Sequence, residues 1–192
     1  MVKSGSISST EREEKKKKKK KKERKETNDM VLSDLDILER LNQFNGSITI
    51  TPLGEKALQA CSVDLRLGSK FKRGIQIIEL ASKGEKLTLQ PCDFVLGATL
   101  ETVEIPLDLV GRLEGRSGLG RQGLAVHITA SRIDPGFIGK ITLEIKNLGE
   151  EQITLTPEMY ICSLMFEQLS SPTGNGYKGL YAGQTGPLGS LR

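Results

Sequence analysis

Apolar and polar residues alternate with a period of two through much of the chain, the spacing of strands with one face in a core and the other in solvent. Ile48 and Ile50 alternate with Thr49 and Thr51 before Pro52, and Ser62-Val63-Asp64-Leu65-Arg66-Leu67-Gly68 repeats the pattern. Phe71 to Leu89 reads as strands separated by a Ser82-Lys83-Gly84-Glu85 turn, and Gln90-Pro91 opens a stretch through Phe94, Val95 and Leu96, followed by Thr99 to Ile105 and Pro106. Leu124, Val126 and Ile128 alternate with Ala125, His127 and Thr129; Ile141 and Leu143 alternate with Thr142 and Glu144. Asp134-Pro135-Gly136 supplies turn chemistry between them, which predicts a hairpin-like pair with Glu144 ending its strand. Ile153 and Leu155 precede a Thr156-Pro157-Glu158-Met159 turn, and Tyr160 to Phe166 reads as a buried strand. One helix is expected near the start, capped at Ser33-Asp34-Leu35-Asp36, with Leu35, Leu38 and Leu41 on one side and Asn45-Gly46 ending it. Many short strands punctuated by Gly and Pro predict an all-β sandwich or distorted barrel. From Ser170 onward the chain is rich in Gly, Pro and Ser and reads as a tail.

The chain has 192 residues, enough for one domain with a sizeable core. No apolar run has membrane-spanning length and the charged N-terminus lacks the segment a secretory signal needs, so a soluble, cytoplasmic protein is expected. Cys61, Cys92 and Cys162 are isolated and odd in number, which fits reduced thiols in the core or on the surface. The net charge of +4 comes from the tail: residues 1–29 hold twelve Lys or Arg against six Asp or Glu, leaving sixteen against eighteen beyond. Eight consecutive lysines from Lys15 to Lys22, with almost no apolar neighbours, predict disorder. Such a tail suits nonspecific nucleic-acid binding or nuclear targeting, and suits equally a solvated extension.

The densest chemistry runs from Gly115 to Glu144. Gly115-Arg116-Ser117-Gly118-Leu119-Gly120-Arg121 is a loop in which glycines let backbone N–H groups approach an anion, and two arginines and a hydroxyl add donors suited to phosphate oxygens. The pattern lacks the Gly-Lys-Ser of a Walker loop and also reads as a tight turn with solvated arginines. Nucleobase deaminases that use zinc carry His-x-Glu and Pro-Cys-x-x-Cys. Here His127 is followed by Ile128 and Thr129 and no two cysteines are close, so no zinc site is expected and His127 reads as a packed strand residue.

Gly-Arg-Ser-x-Leu-Gly-Arg-x-Gly-Leu, then His-x-Thr-Ala, then Ile-Asp-Pro-Gly-Phe-x-Gly-x-Ile-x-Leu-Glu resembles the dCTP deaminase family of the dUTPase-like superfamily. The resemblance implies a distorted β-barrel or jelly-roll-like fold of the dUTPase type (β-clip), a homotrimer with active sites shared between subunits, and conversion of dCTP to dUTP and ammonia. It divides the chain into a tail (1–29), a deaminase-like β domain (30–169), since Met30 opens a stretch similar to the family's usual start, and a C-terminal arm (170–192) that closes over nucleotide. Glu144 matches the family's catalytic glutamate, which shuttles protons between water and the departing amine; Ser117 and the Ala130 carbonyl are implied to hold the water, and Arg121 to stabilise the charged centre. Arg116, Ser117, Gly118, Leu119, Gly120 and Arg121 are implied to cradle the triphosphate, with Mg²⁺ on the phosphates and dTTP as a possible inhibitor. Asp134 is implied on the deoxyribose, and Thr142, Leu143, Tyr177 and Gln184 on the nucleotide. Gly118 replaces a common serine. Leu180 stands where the arm usually has lysine, which leaves Lys178 as the nearby cation. Val63 to Gly68 resembles a family strand in which Asp64 and Arg66 share a face and read as a structural ion pair.

Three rivals remain. Bifunctional relatives carry dCTP through to dUMP and pyrophosphate; Ser131 and Ser163 stand where they usually have glycine and often glutamine, which favours release of dUTP. A pure dUTPase has no need of Glu144. A non-catalytic nucleotide- or nucleic-acid-binding module would rely on the basic tail, but few aromatics are available for base stacking.

Overall fold

The computed structural model describes residues 31–42, 46–82 and 84–191. The lysine-rich tail lies outside the described residues. The elements are α1 (Asp34–Leu41), β1 (Thr49–Thr51), β2 (Val63–Arg66), β3 (Lys70–Arg73), β4 (Gln76–Glu79), β5 (Leu87–Leu89), β6 (Phe94–Glu104), β7 (Leu109–Gly115), α2 (Ser117–Gly120), β8 (Leu124–Ala125), β9 (Arg132–Ile133), β10 (Ile138–Asn147), β11 (Ile153–Leu155) and β12 (Tyr160–Gln168). This is the all-β architecture that the alternation predicts. The strands form three sheets that stay open among the described residues: β4-β3-β6-β10-β8 with β1 also on β6, β2-β12-β7-β9, and β11-β5.

The alternating apolar positions meet between the sheets. Ile141, Leu143 and Ile145 of β10 are buried, as are Val95 and Val103 of β6, Leu109 and Leu113 of β7, and Ile161, Leu164 and Phe166 of β12. The opposite face of β10 carries Lys140, Thr142, Glu144 and Lys146, all half-buried. The β6–β10 ladder is interrupted between Lys140 and Thr142, where the buried Thr99 hydroxyl accepts the Ile141 N–H at 2.9 Å and donates to the Glu101 carbonyl at 2.8 Å. A side chain thereby satisfies the main chain where the strands part.

Several local expectations change. Ser33 caps α1, accepting the Asp36 N–H at 3.3 Å. The helix ends at Leu41 with Asn42 as its C-cap, ahead of the expected Asn45-Gly46 stop, and residues 43–45 lie outside the described set. Its buried residue is Ile37, with Leu41 one turn on partly buried against the core, while Leu35 and Leu38 are exposed: of the expected leucine face only Leu41 meets the core. β6 is a single eleven-residue strand where two segments read from sequence, because Gly97 packs its bare face against Ile145, Leu67 and Phe71 and does not break the strand. Cys162 is buried, which pushes its thiol well above the usual range, and Cys61 and Cys92 are exposed and free.

The C-terminal segment forms neither helix nor strand, yet it is docked. Gly183 N–H donates to the Ile138 carbonyl at 2.8 Å and Lys140 N–H to the Gln184 carbonyl at 2.9 Å. The Gln184 amide nitrogen donates to the Lys140 carbonyl at 2.5 Å, and its oxygen accepts the Thr142 hydroxyl at 3.2 Å. Gly139, at φ 149°, admits this approach, since a Cβ there would meet the Gln184 backbone at about 3.0 Å. Replacing Gln184 with alanine should therefore release the segment locally: amide protection at Lys140 and Gly183 should fall about tenfold, while Leu143 and Phe166 are unaffected in hydrogen exchange.

Arg40 ties α1 to the start of β7 through a forked pair with Asp108 at 2.9 and 2.6 Å. Partial burial pushes the Asp108 carboxyl up, but hydrogen bonds and charge from Arg40 more than reverse this and leave it below its ordinary value. Because the folded pKa is the lower one, the stabilisation is complete above the unfolded value near pH 4 and is lost as pH falls through the folded value. Asp108→Asn should cost about 1 kcal/mol in urea unfolding at pH 6, and its deficit against wild type should shrink at pH 3.

Candidate active site

Glu144 sits in the middle of the β10 face rather than at the strand's end. Its N–H donates to the Val126 carbonyl at 3.0 Å, and its side chain accepts the Ile128 N–H at 2.8 Å. The second contact explains why the strand expected over residues 124–129 stops at Ala125. β8 pairs with β10 only at Leu124 and Ala125, after which the carboxylate takes an N–H that a ladder carbonyl would otherwise accept. Residues 126–131 become an irregular strip, with Val126 buried and Ile128, Thr129 and Ala130 exposed. β9, which follows, pairs with β7 of the other sheet, so the expected hairpin is broken by an excursion.

A cavity of about 320 Å³ opens over this face, within the range of small-molecule sites. Thr142, Glu144 and Leu96 form its floor, His127 and Ala130 one wall, and Asp134 and Phe137 another, while Tyr177, Gln184 and Gly189 of the C-terminal segment cover it. Tyr177 packs on Phe137 with ring centroids 5.7 Å apart, and its N–H donates to the Pro135 carbonyl at 2.7 Å. Asp134 pairs with Arg132 at 2.8 Å. His127, read from sequence as a packed strand residue, lines the cavity, and its buried Nδ1 has no hydrogen-bond partner among the described residues. Its position following a buried Val126 gave no signal of this, because the strip departs from strand geometry there. A restrained carboxylate and an orphaned imidazole nitrogen beside Leu96 and Phe137 suit proton transfer on a flat polar ring.

The Gly115–Arg121 loop lies elsewhere in the chain. It is a single helical turn, α2, in which the Leu119 and Gly120 N–H groups donate to the Arg116 carbonyl at 3.0 and 2.9 Å and the Arg121 N–H to the Ser117 carbonyl at 3.1 Å. Only its first amides remain for a ligand. Arg116, Ser117, Gly118 and Leu119 line a second cavity with Asp64, Tyr160 and Ser163. Gly120 and Arg121 are exposed, and neither Ser117 nor Arg121 lines the Glu144 cavity. Within one chain, then, the expected catalytic group is divided: Glu144 and Ala130 share one cavity, and Ser117 belongs to the other.

Among the expected nucleotide contacts, Asp134, Thr142, Glu144, Tyr177 and Gln184 are brought together. Leu143 points its side chain into the core, fully buried, because alternate residues of β10 face opposite ways. Lys178 is exposed and outside the cavity lining. Asp64 and Arg66 do not pair with each other: Arg66 bonds the buried Glu101 at 2.7 Å, and Asp64 meets Arg116 at 3.2 Å. The register of β2 on β12 places Asp64 opposite Ser163, which turns it towards the second cavity.

Residues 31–169 match the family model described as dCTP deaminase-like. The chain is 43% identical over 185 residues to a dUMP-forming dCTP deaminase from Halobacterium salinarum, covering 84% of this chain and 94% of that protein. It is 44% identical over 185 residues to a dCTP deaminase from Natronomonas pharaonis, with the same coverage of 84% and 94%. Among solved structures, the dCTP deaminase of Agrobacterium tumefaciens superposes with a TM-score of 0.61 at 17% identity over 74% of this chain, a likeness of fold. This chain spans about half the length of that one, 49%. No helix among the described residues is long and apolar enough to cross a membrane. Match, identity and fold agree: the chain belongs to the dCTP deaminase-like family, whose named relatives are deaminating hydrolases.

Proposed function

We propose that this protein hydrolyses dCTP at C4 of cytosine, with Glu144 as the group that moves the protons. The observation that carries this is the Glu144 carboxylate, pinned by the Ile128 N–H at 2.8 Å in the lining of a cavity of about 320 Å³. Water adds to C4 as Glu144 takes its proton and passes it to N3 of the ring. Collapse of the tetrahedral centre forms the C4 carbonyl as Glu144 takes the proton of the C4 hydroxyl and delivers it to the amine, which leaves as ammonia. The balance is dCTP and water to a uracil nucleotide and ammonia. Ala130 would orient the water through its carbonyl, Asp134 would meet the deoxyribose and Tyr177 would cover the sugar.

Ser117 and Arg121 would enter this cavity from a neighbouring subunit of a homotrimer, carrying the Arg116–Arg121 turn against the triphosphate. The division of the expected group between two cavities of one chain supports this arrangement. The open space at Gly118 and Gly120, where an added Cβ would meet nothing within 4 Å, is compatible with it. Mg²⁺ would ride on the phosphate oxygens and lower their charge, which needs no cage of protein ligands; among the described residues no three His, Cys, Asp or Glu converge on one point. Thymidine triphosphate would compete for the same cavity, and the cytoplasm, with its nucleotide pool, is the place for the reaction.

The product is dUTP if Ser131 and Ser163 mark a deaminase that stops there. A second outcome, dUMP and pyrophosphate, is favoured by the names of the relatives from Halobacterium salinarum, Dictyoglomus thermophilum and Methanosphaera stadtmanae, each called dUMP-forming. Chromatography of a reaction containing dCTP and Mg²⁺ separates the two. Glu144→Gln should lower ammonia release by about 10³-fold or more while binding of dCTP in calorimetry survives; a variant that retains activity overturns the assignment.

A further inference from the structure

The arginine that opens the phosphate turn is gripped from behind. Asp64 of β2 is only 5% exposed, and both of its carboxylate oxygens are engaged. One accepts the Ser163 hydroxyl at 2.5 Å, and the other meets the Arg116 guanidinium at 3.2 Å. Arg116 also donates to the Tyr160 carbonyl at 3.4 Å and lies over the Tyr160 ring, 5.5 Å from its centroid. These contacts follow from strand register: Ser163 of β12 stands opposite both Asp64 of β2 and Glu114 of β7, and Cys162 opposite Gly115, so Arg116 leaves β7 one residue past the last pair.

A carboxylate this deep in the fold requires compensation by a cation and by hydrogen bonds, and Arg116 and Ser163 supply them. The grip leaves the guanidinium useful. Of its five N–H donors, two point inward to Asp64 and Tyr160, and the side chain is still 41% exposed. Arg116 lines the cavity that Ser117 and Gly118 also line, so its remaining donors are available there. An arginine free in solvent would have to give up its rotamer freedom when an anion binds; here that ordering is done in advance by the fold.

We infer that Asp64, itself fixed by Ser163, is a positioning residue for Arg116, holding the guanidinium in the orientation in which its outer N–H groups receive the nucleotide's phosphates. This rests on the assignment of the Arg116–Arg121 turn to the triphosphate. Asp64 also lines that cavity, but both of its oxygens are taken, by Ser163 and Arg116, so it acts on the phosphates through Arg116.

A double-mutant cycle on the full chain tests it. Asp64→Asn preserves shape and the Ser163 contact and removes the charge that orients Arg116. It should raise KM for dCTP about tenfold with kcat changed less than about twofold, and weaken inorganic tripolyphosphate binding in calorimetry by a similar factor. Arg116→Ala should raise KM further, and the double variant should be no worse than Arg116→Ala alone. Factors that multiply in the double variant, or a lowered melting temperature with KM unchanged, overturn the inference and leave a purely structural pair. Should Asp64→Asn fail to fold, Ser163→Ala enters the same cycle, with an expected rise in KM of about threefold that also vanishes in the Arg116→Ala background; its absence likewise overturns the inference. A wild-type protein that deaminates dCTP while Asp64→Asn matches it sinks this inference only. A wild-type protein that neither deaminates dCTP nor binds tripolyphosphate sinks the assignment of the turn as well.

Discussion

The site depends on how β10 spends its outer edge. The edge takes no continuous partner strand there: Glu144 bonds the 126–131 strip through both main chain and side chain, and Lys140 bonds the C-terminal segment through Gln184. A regular strand after Ala125 would have filled the space above Thr142 and Glu144 with ladder. The cavity exists because one carboxylate replaces a carbonyl in the hydrogen bonding, so that the chain lifts away from the sheet and carries His127 and Ala130 into the wall. The same contact that opens the cavity also fixes the carboxylate on its floor.

The other half of the chemistry is built by the second sheet. β2, β12 and β7 lie side by side, and their register delivers Asp64, Ser163 and Arg116 to one point at the end of β7. The two halves share a core but not a cavity. One chain thus presents two separate cavities, one holding Glu144 and the other Arg116 and Ser117.

The period-two alternation made most strands legible, because burial of one sheet face leaves a direct imprint on residue order, but β7 and β9 were not read from it. Its failures share a cause. Residues 124–129 alternate well, yet Ile128 is exposed, since the side chain of Glu144 competes for its main chain from sixteen residues away. Leu35 and Leu38 suggested a helix face turned about one residue away from the one that packs, which is Ile37 and Leu41. Glu144 and Asp134 were accessible through a long ordered motif, and Tyr177 through the likeness of the C-terminal arm, not through periodicity. The Asp64–Arg116 contact was not accessible, because it depends on the register of three strands distant in sequence. His127 lay between these cases: the motif singled it out, and only the shape of the strip shows that it faces the cavity.

Gln184 has a consequence beyond the pocket. Strand edges with free N–H and C=O groups are templates for other chains, and the C-terminal segment occupies the part of β10 that would otherwise offer one at Ile138 and Lys140. The segment that lines the cavity is at the same time the guard of a sheet border, so a chain clipped before residue 183 would lose lining residues and its protection from sticking to its neighbours.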